Sequence, residues 1–488
     1  MSKLCLTGAE RTGAALAARL AEPRDGVMQE ARLDWLEHID DDLIGLLARP
    51  DVIATCRSVS EHGGFRGTEA ERFALLQRML HRGPGYLDVE LGMDEALRRT
   101  LFAGRGVTRM ILSHHEWQPW STPELSSRLT ELGRALGDAP ADMLKLAVTI
   151  DDAADQRALL QALAREPRPV LRLAMGPAGL LSRALPERFG SPWTYVVRDG
   201  APEIAPGQLT ITQARRWRVA AGSPLTPLGL LGGPGVLSSP GPVLYNLLFA
   251  DRALAFMYLP VVTSQPDRTL GLLEALGFGG ASVTMPAKET LLAELTVLQS
   301  PADRVRAVNT VRFDRGSRIG LNTDVAAVRT LLEPFRGSRA LVLGAGGAAR
   351  AAVVALAELG CPVCVSGRSP ESLARLAAAF GVRTLPWQRR ADEPFELLVH
   401  ATPCGADGQS EPMPPSVSWS NRVVLDMVVS LDPTPLLRRV RAQGGQGIAG
   451  IEMWLIQGAV QLAALTGAEV SPEELGRYVP AWQEQSHA

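Results

Sequence analysis

The segment "DMLKLAVT" (142–149) places one lysine, Lys145, among apolar neighbours in a pattern typical of a buried strand. Only three of the 50 basic residues are lysines, namely Lys3, Lys145 and Lys288. A desolvated lysine can lose its proton, whereas arginine stays charged. Compositional drift toward arginine also accounts for the scarcity, but Lys145 and Lys288 are the first candidates for chemistry.

A buried neutral amine can attack a ketone and form a Schiff base, which draws electrons from the adjacent carbon as that carbon loses a proton. Such chemistry needs a proton carrier, and histidine titrates in the right range. His115 ends a neighbouring predicted strand, and Glu61 is a candidate to orient or assist it. These residues indicate a Schiff-base lyase or aldolase. The structural alternatives to this chemistry are that Lys145 forms an ordinary salt bridge and that His115 is a loop histidine held by hydrogen bonds.

Polar residues gather at the ends of the predicted strands in the first 215 residues. The arginine fork matches a carboxylate, so an anionic carbonyl compound is the expected substrate. The candidate binding residues are Glu30, Arg32, Arg57, Arg183 and Gln208.

Eight strand-like segments alternate with helical patterns in this region. They are 3–8, 27–35, 51–57, 85–91, 108–115, 142–149, 169–175 and 193–197. Segments between them, such as "AERFALLQRML", carry apolar residues at three- and four-residue spacing, as a helix packed on a sheet requires. The alternation predicts an α/β fold, a closed (β/α)₈ TIM barrel with its site at the carboxyl ends of the strands. An open doubly wound sheet is the alternative.

A second α/β unit begins near residue 336. "VLGAGGAAR" (342–350) joins a strand to a helix through a glycine loop, which can receive a dinucleotide pyrophosphate on backbone amides. The candidate cofactor contacts are Gly344, Ala345, Gly346, Gly347 and Ala348. Arg368 ends the next strand, where arginine suits the 2′-phosphate of NADP, unless it is an ordinary surface arginine.

Lys288 in "SVTMPAKE" and Asp324 in "GLNTDV" could hold and relay a proton while hydride moves to or from a nicotinamide. Their separation in the sequence gives no geometry. An ordinary salt bridge is the alternative.

Bulk composition excludes several classes of protein. The 488 residues predict two or three domains, and a net charge of −2 offers no basic excess for nucleic acid. No signal peptide or membrane span is expected, because charges at Glu10 and Arg11 interrupt the N-terminus and residues 223–250 are rich in proline and glycine. Five cysteines fit a reducing cytoplasm, and Cys361 and Cys364 are expected to be buried thiols, so no metal is predicted.

The first 215 or so residues resemble type I 3-dehydroquinate dehydratases. The matching pieces are "EARLD" (30–34), "TCRSVSEHGG" (55–64), "LSHHEW" (112–117), "MLKLAV" (143–148), "GLLSR" (179–183) and "APGQ" (205–208). The resemblance implies Lys145 as the Schiff-base lysine and His115 as the proton shuttle, with Glu61 assisting. It implies substrate contacts for Glu30, Arg32, Arg57, Arg183 and Gln208.

Residues 225 to 485 resemble shikimate dehydrogenases. The matching pieces include "ASVTMPAKE" (281–289), "AVNTV" (307–311), "GLNTD" (320–324), "GAGGAAR" (344–350) and "GIEMWLIQGA" (450–459). The resemblance implies Lys288 and Asp324 as the catalytic pair and NADP as the cofactor. The implied substrate contacts are Ser239, Thr284, Asn309, Asn322 and Gln457.

Several positions depart from the second family's pattern. Gly241 stands where a second serine is usual, Leu321 replaces an acid, and Val429 stands where tyrosine is common. A second cofactor-binding arginine near Ser372 is also missing, and in the first half Ile204 replaces a common serine. Relaxed use of quinate and NAD, or an inactive dehydrogenase-like binding module, is therefore an alternative for the second half.

Together the resemblances imply a fused enzyme of aromatic amino acid biosynthesis that dehydrates 3-dehydroquinate and then reduces 3-dehydroshikimate with NADPH. The predicted parts are a barrel (1–217), a substrate-binding lobe (218–335), a Rossmann-type NADP domain (336–445) and C-terminal helices that return to the substrate lobe (446–488). The expected ligands are small molecules. The remaining alternative is that the whole chain is a non-enzymatic scaffold. The sequence leaves the oligomeric state open.

Overall fold

The structure, a computed structural model, describes residues 3–22, 26–120, 122–137, 139–219, 224–285 and 287–487. The chain divides into two compact units. The first comprises Met1–Leu225 and Leu259–Leu272, and the second comprises Thr226–Tyr258 and Leu273–Ala488. None of the helices among the described residues has the length and apolarity that crossing a bilayer requires.

The first unit contains all eight strands that the sequence predicts, followed by a short ninth. The strands are β1 (Lys3–Leu6), β2 (Val27–Arg32), β3 (Val52–Thr55), β4 (Tyr86–Glu90), β5 (Arg109–Glu116), β6 (Met143–Thr149), β7 (Val170–Met175), β8 (Trp193–Val197) and β9 (Leu209–Thr210). The helices are α1 (Gly13–Ala21), α2 (Asp41–Gly45), α3 (Glu69–His81), α4 (Glu95–Ala103), α5 (Thr122–Gly137), α6 (Gln156–Gln161), α7 (Leu180–Ala184) and α8 (Ile211–Arg216).

These strands form one curled parallel sheet in the order β7-β6-β5-β4-β3-β2-β1-β8-β9, which confirms the α/β class and the strand order of a barrel. The predicted closed barrel and the observed sheet differ in one detail: among the described residues, no hydrogen-bonded β-ladder joins β7 to β8. Serine hydroxyls instead accept hydrogen bonds from backbone N–H groups at this edge of β7. Ser191 Oγ accepts the backbone N–H of Arg172 at 2.9 Å, and Ser182 Oγ accepts that of Ala174 at 2.8 Å.

The inner face of this sheet changes from apolar to polar along several of its strands. Side chains two residues apart in a strand share a face. In β6 the buried Met143 precedes Lys145, and in β2 the buried Met28 precedes Glu30. The apolar residues form an inner cluster with neighbours such as Ile111. Polar side chains are therefore confined to the carboxyl ends of the strands.

A mixed sheet follows along the chain, and most of its residues belong to the second unit, residues 259–272 being assigned to the first. Its strands are β10 (Thr226–Gly232), β11 (Phe256–Val262), β12 (Gly280–Val283), β13 (Val297–Leu298), β14 (Thr310–Asp314) and β15 (Ser317–Leu321). They are arranged in the order β11-β10-β12-β14-β15-β13, with β14 antiparallel to both β12 and β15. The associated helices are α9 (Gly241–Asp251), α10 (Pro266–Ala275), α11 (Ala287–Thr290), α12 (Ala302–Val305) and α13 (Asp324–Leu332).

A second sheet of this unit is parallel and doubly wound. Its strands are β16 (Ala340–Leu343), β17 (Val363–Gly367), β18 (Arg383–Pro386), β19 (Leu397–His400), β20 (Val423–Asp426) and β21 (Gln446–Ile448). The helices are α14 (Gly347–Glu358), α15 (Pro370–Phe380), α16 (Pro435–Ala442), α17 (Gly450–Thr466), α18 (Pro472–Gly476) and α19 (Val479–His487). The order β18-β17-β16-β19-β20-β21 is that of a dinucleotide-binding Rossmann fold, which confirms the predicted class.

The replacement Ser191→Ala tests how the edge of β7 is satisfied. The variant leaves the buried N–H of Arg172 without its acceptor, so we expect a loss of about 1–3 kcal/mol in the free energy of unfolding. Urea unfolding followed by circular dichroism measures the loss. Ser126→Ala, an exposed serine of α5, is the control and should change stability by less than about 0.5 kcal/mol. Equal stability of the two variants would contradict this role for Ser191.

Candidate active sites

An open cavity of about 500 Å³ lies at the carboxyl ends of the strands in the first unit. It brings together every site residue that the sequence predicts for this half. These are Glu30, Arg32, Arg57, Glu61, His115, Lys145, Arg183 and Gln208.

Lys145 lies at the base of this cavity and is buried. Its Nζ donates a hydrogen bond to Asp88 Oδ2 at 3.1 Å and lies 3.9 Å from Glu30 Oε1. The ring of Tyr195 lies 4.5 Å from the same nitrogen, measured to the ring centroid. Carboxylates and an aromatic face both stabilise a cation at Nζ. The surroundings therefore suit a nitrogen that carries positive charge during a reaction.

Asp88 is a central residue of the site that the sequence analysis missed. Burial by itself would raise its pKa, but Arg57 and Lys145 beside it and a hydrogen bond from Ser113 hold that pKa well below its usual value. The signal was present in "GYLDVEL", where Asp88 and Glu90 are two residues apart and so share one face of β4. Residues that line the cavity outside the predicted set include His62, Trp117 and Tyr195.

Glu61 and His115 form a hydrogen-bonded pair, with 2.8 Å between Glu61 Oε2 and His115 Nδ1. Burial raises the pKa of Glu61 to about 8, although Arg57 opposes the shift. Burial lowers the pKa of His115 well below its usual value, and Arg57 and Lys145 add to this effect. The carboxyl group and the imidazole thus both favour their neutral forms, and Nε2 is the ring nitrogen that Glu61 leaves free.

The three predicted arginines have different surroundings. Arg32 forms a two-pronged bridge to Asp34, with distances of 2.8 and 2.7 Å. The guanidinium of Arg57 donates to Asp88, Glu61 and Ser113. Both cations are therefore already bound to side chains of the protein.

Arg183 is buried, and no carboxylate forms an ion pair with it within the described part of the chain. One bond at 3.3 Å reaches Pro206 O, while its Nε has no hydrogen-bond partner among the described residues. Burial lowers the pKa of Arg183 to about 10, opposed by Glu203. A buried guanidinium at a cavity wall favours an anionic ligand because an uncompensated buried charge is costly. Of the three arginines, Arg183 has the strongest need for a ligand carboxylate.

A second cluster of predicted residues lies in the second unit, where Lys288 Nζ donates to Asp324 Oδ2 at 2.6 Å. Asn309 Nδ2 donates to the other oxygen of Asp324 at 2.9 Å and lies 3.3 Å from Gln457 Oε1. Asp324 opens α13, while Gln457 comes from α17. Four predicted residues from distant parts of the chain thus form one bonded cluster.

Among the described residues, the other predicted contacts of this half form no side-chain-to-side-chain bond with that cluster. The side-chain amide of Asn322 bonds to Ala307 O and to the backbone N–H of Asp324, so it fixes the start of α13. Ser239 Oγ accepts the N–H of Gly241 at 3.4 Å. Thr284 packs its methyl group near Gly232. The role of Ser239 and Thr284 as substrate contacts stays a prediction.

The glycine loop 344–348 follows β16 and leads into α14. Gly344 has φ +119°, and a Cβ there would lie 2.8 Å from Ala401 O, so only glycine fits. A Cβ on Gly346 would meet no atom within 4 Å, while one on Gly347 would lie 3.1 Å from Lys288 Cβ. The loop is thus open to a ligand at one glycine and closely packed against Lys288 at another. Ala345 and Ala348 continue the loop, and Arg368 is exposed just beyond β17.

His400 is a buried residue at the end of β19. Its Nδ1 lies 2.9 Å from Asp426 Oδ1, and its Nε2 lies 2.6 Å from Thr402 Oγ1. Thr402 in turn lies beside Gly344. His400 therefore anchors the segment after β19 against the glycine loop. The described residues contain no group of three or more His, Cys, Asp and Glu placed to hold a metal ion.

Comparisons with known proteins match both halves. The family profile "Type I 3-dehydroquinase" matches residues 4–219, and "Shikimate dehydrogenase substrate binding domain" matches residues 231–311. A bifunctional 3-dehydroquinate dehydratase/shikimate dehydrogenase of Arabidopsis thaliana, described as chloroplastic, is 28% identical over 481 residues, which cover 91% of this chain and 78% of that protein.

Two further relatives match the second half. A shikimate dehydrogenase (NADP(+)) of Maridesulfovibrio salexigens is 32% identical over 255 residues, 50% of this chain and 93% of that protein. The crystal structure of shikimate 5-dehydrogenase from Thermus thermophilus, in complex with NADP(H) and shikimate, is 30% identical and covers 53% of this chain and 100% of its own, with a TM-score of 0.48.

The raised pKa of Glu61 predicts a pH dependence of stability. The folded protein keeps a proton on Glu61 up to about pH 8, whereas the unfolded chain releases it near 4.5. Stability therefore falls as pH rises toward 8, by up to about 1.4 kcal/mol per pH unit. His115 gives the opposite slope, but only below its ordinary value of 6.5, so the window from 6.5 to 8 isolates Glu61.

Urea unfolding at several pH values checks this expectation in the wild type and in Glu61→Gln. The variant should show a flatter dependence between about pH 6.5 and 8, while Glu37→Gln, at an exposed position, should behave as the wild type. Parallel curves for all three proteins would show that Glu61 titrates normally.

Proposed function

Because the chain belongs to the shikimate dehydrogenase family and joins to it a type I 3-dehydroquinase domain, we propose that it catalyses two consecutive reactions. The first unit dehydrates 3-dehydroquinate to 3-dehydroshikimate, and the second reduces 3-dehydroshikimate to shikimate with NADPH. The observation that carries the proposal is the presence, in one chain, of a buried lysine at the base of a cavity and of a lysine–aspartate pair beside a glycine loop.

In the first reaction, the Lys145 amine attacks the ketone of the substrate, and loss of water leaves a positively charged iminium. Asp88 and the face of Tyr195 lie within 4.5 Å of Nζ and offset that charge. Glu30 is positioned by hydroxyl groups of Thr7 and Thr55 and adds a second carboxylate near the same nitrogen.

His115 then takes a proton from the carbon next to the iminium, and the electron pair moves toward nitrogen. The enamine expels the hydroxyl group β to the former carbonyl, with His115 returning the proton so that water leaves. Hydrolysis of the imine releases the product and restores Lys145. Glu61 holds Nδ1 at 2.8 Å, which keeps the ring in one orientation during both transfers.

Substrate binding in this site falls mainly to Arg183, the buried guanidinium without an ion pair among the described residues. Its fork fits the substrate carboxylate. The Gln208 carbonyl accepts the backbone N–H groups of Ile204 and Ala205, so its amide nitrogen is left for a substrate oxygen. Arg57 and Arg32 act chiefly through the carboxylates that they hold in place.

In the second reaction, Lys288 donates a proton to the carbonyl oxygen as the carbonyl carbon is reduced. Asp324 accepts from Lys288 Nζ at 2.6 Å and orients the ammonium group, and Asn309 fixes Asp324 from the other side. Gln457 and Asn322 position this cluster, and Ser239 and Thr284 complete the proposed substrate contacts.

The cofactor of this half is NADP(H), which supplies hydride to the carbonyl carbon when bound. The residues fit it in three respects. Gly344 permits the tight turn and Gly346 permits close approach of a pyrophosphate, α14 begins at Gly347, and Arg368 is exposed at the end of β17 for the 2′-phosphate.

The domain limits 1–217, 218–335, 336–445 and 446–488 remain part of the proposal. So does a reducing, cytoplasmic compartment, which five free cysteines support. Small-molecule substrates are the proposed ligands.

Two single-site variants should separate the reactions. Lys145→Arg should lose at least about 10³-fold in dehydration of 3-dehydroquinate, because arginine forms no Schiff base, yet oxidise NADPH normally with 3-dehydroshikimate. Asp324→Asn should do the reverse, losing about 10²- to 10⁴-fold in NADPH oxidation while still dehydrating 3-dehydroquinate. Absorbance of the conjugated product and of NADPH follows the two steps.

Each variant is the folding control for the other. Conversion of 3-dehydroquinate by Lys145→Arg at the wild-type rate would overturn the first assignment. A wild-type protein that reduces no 3-dehydroshikimate would leave the second half without the proposed activity, and faster oxidation with quinate and NAD would favour relaxed specificity.

A further inference from the structure

His62 and Trp117 form a stacked pair in the wall of the first cavity, and the mechanism above gives neither a role. Their ring centroids are 4.3 Å apart and their planes are inclined by 23°. Both side chains line the cavity. The pair joins the segment after β3 to the segment after β5, two loops that otherwise belong to separate strand–helix units.

The position of His62 is fixed by a strained backbone. Its φ of 56° lies in the left-handed region, which is uncommon for a residue with a side chain. The next residue, Gly63, is also held closely in place. A Cβ on Gly63 would lie 2.1 Å from Arg57 O, and the N–H of Gly63 donates to Ser58 O at 2.7 Å, so the backbone strain at His62 cannot be released by a change at Gly63. Strain of this kind persists where the surrounding structure enforces it, commonly at functional sites.

The stack lies directly beside the proton-transfer pair along the chain. His62 follows Glu61, and Trp117 is two residues after His115. Any change in the spacing of the two loops therefore changes the 2.8 Å contact between Glu61 and His115. A parallel ring contact resists such changes because its attraction depends on ring separation and offset.

We propose that His62 and Trp117 are positioning residues that act as a clamp, holding the two loops at the spacing in which Glu61 orients His115. This inference rests on the proposed dehydratase function. The clamp acts on the chemical step rather than on carboxylate binding, because Arg183 lies on α7 and is independent of both loops.

The test measures kcat and KM for dehydration of 3-dehydroquinate together with the thermal unfolding midpoint. His62→Gly should lower kcat about tenfold, the upper range for one aromatic pair, with KM within about twofold. Its unfolding midpoint should be unchanged or higher, since glycine tolerates the left-handed backbone. His62→Phe, which keeps a stacking ring, should retain kcat within about twofold.

A double-mutant comparison adds a second readout. Trp117→Ala should lower kcat as much as His62→Gly, and the double variant should be no slower than either single variant because they remove the same contact. Asn421→Gly is the matched control: it relieves a left-handed backbone with φ 58° in the other compact unit and should leave dehydration unchanged.

Three outcomes would overturn the clamp. They are an unchanged kcat in His62→Gly, a fall in the unfolding midpoint that parallels the fall in kcat, and a loss in His62→Phe equal to that in His62→Gly, which would assign the effect to the imidazole itself. Absence of dehydration in the wild type would instead overturn the proposed function and is distinguished by that baseline.

Discussion

Four ionisable side chains share the buried end of the first sheet, and their mutual hydrogen bonds constrain the residues around them. Arg57 lies 2.8 Å from Asp88 and 2.9 Å from Glu61, and Asp88 also accepts from Lys145. Charges removed from water are tolerated only when paired and hydrogen-bonded, so each of these groups fixes the next. The same pairing places a lysine beside a carboxylate at the base of a cavity, where a cation formed at Nζ has its counter-charge ready.

The second unit uses a lysine–carboxylate pair for a different purpose. Lys288 and the buried Asp324 are 2.6 Å apart, next to a glycine loop. This ion pair holds the ammonium group in one place, as suits a proton donor. Lys145 needs to pass through a neutral form to attack a carbonyl, and it lies among apolar strand residues with a longer 3.1 Å contact to Asp88. The two lysines thus take different parts in the proposed chemistry, Lys145 as a nucleophile and Lys288 as a proton donor.

The sequence predicted the strands and the motif residues well because both depend on local patterns. Alternation located all eight strands, and His115, Lys145 and Glu61 line the cavity at their carboxyl ends. The sequence did not predict contacts between segments that are distant along the chain. Asp88 carries no motif, and nothing local shows that His62 will meet Trp117.

Two smaller features of the first unit show the same difference between what a local sequence pattern predicts and what depends on tertiary contacts. At the edge of β7 that faces β8, Ser191 accepts the backbone N–H of Arg172. This contact depends on the tertiary structure, and no local sequence pattern predicts it. The Arg32–Asp34 bridge joins residues only two apart in the sequence, across the end of β2 and the 3₁₀ turn that follows it, so it depends on local structure.

The most direct measurement is the mass of the intact protein after borohydride reduction in the presence of 3-dehydroquinate, with Lys145→Arg treated in parallel. Reduction converts an imine into a stable amine, so the wild type should gain the mass of one reduced substrate or product, and Lys145→Arg should gain none. A folded wild-type protein that binds 3-dehydroquinate but gains no mass, or an equal gain in Lys145→Arg, would contradict the assignment of Lys145 as the nucleophile.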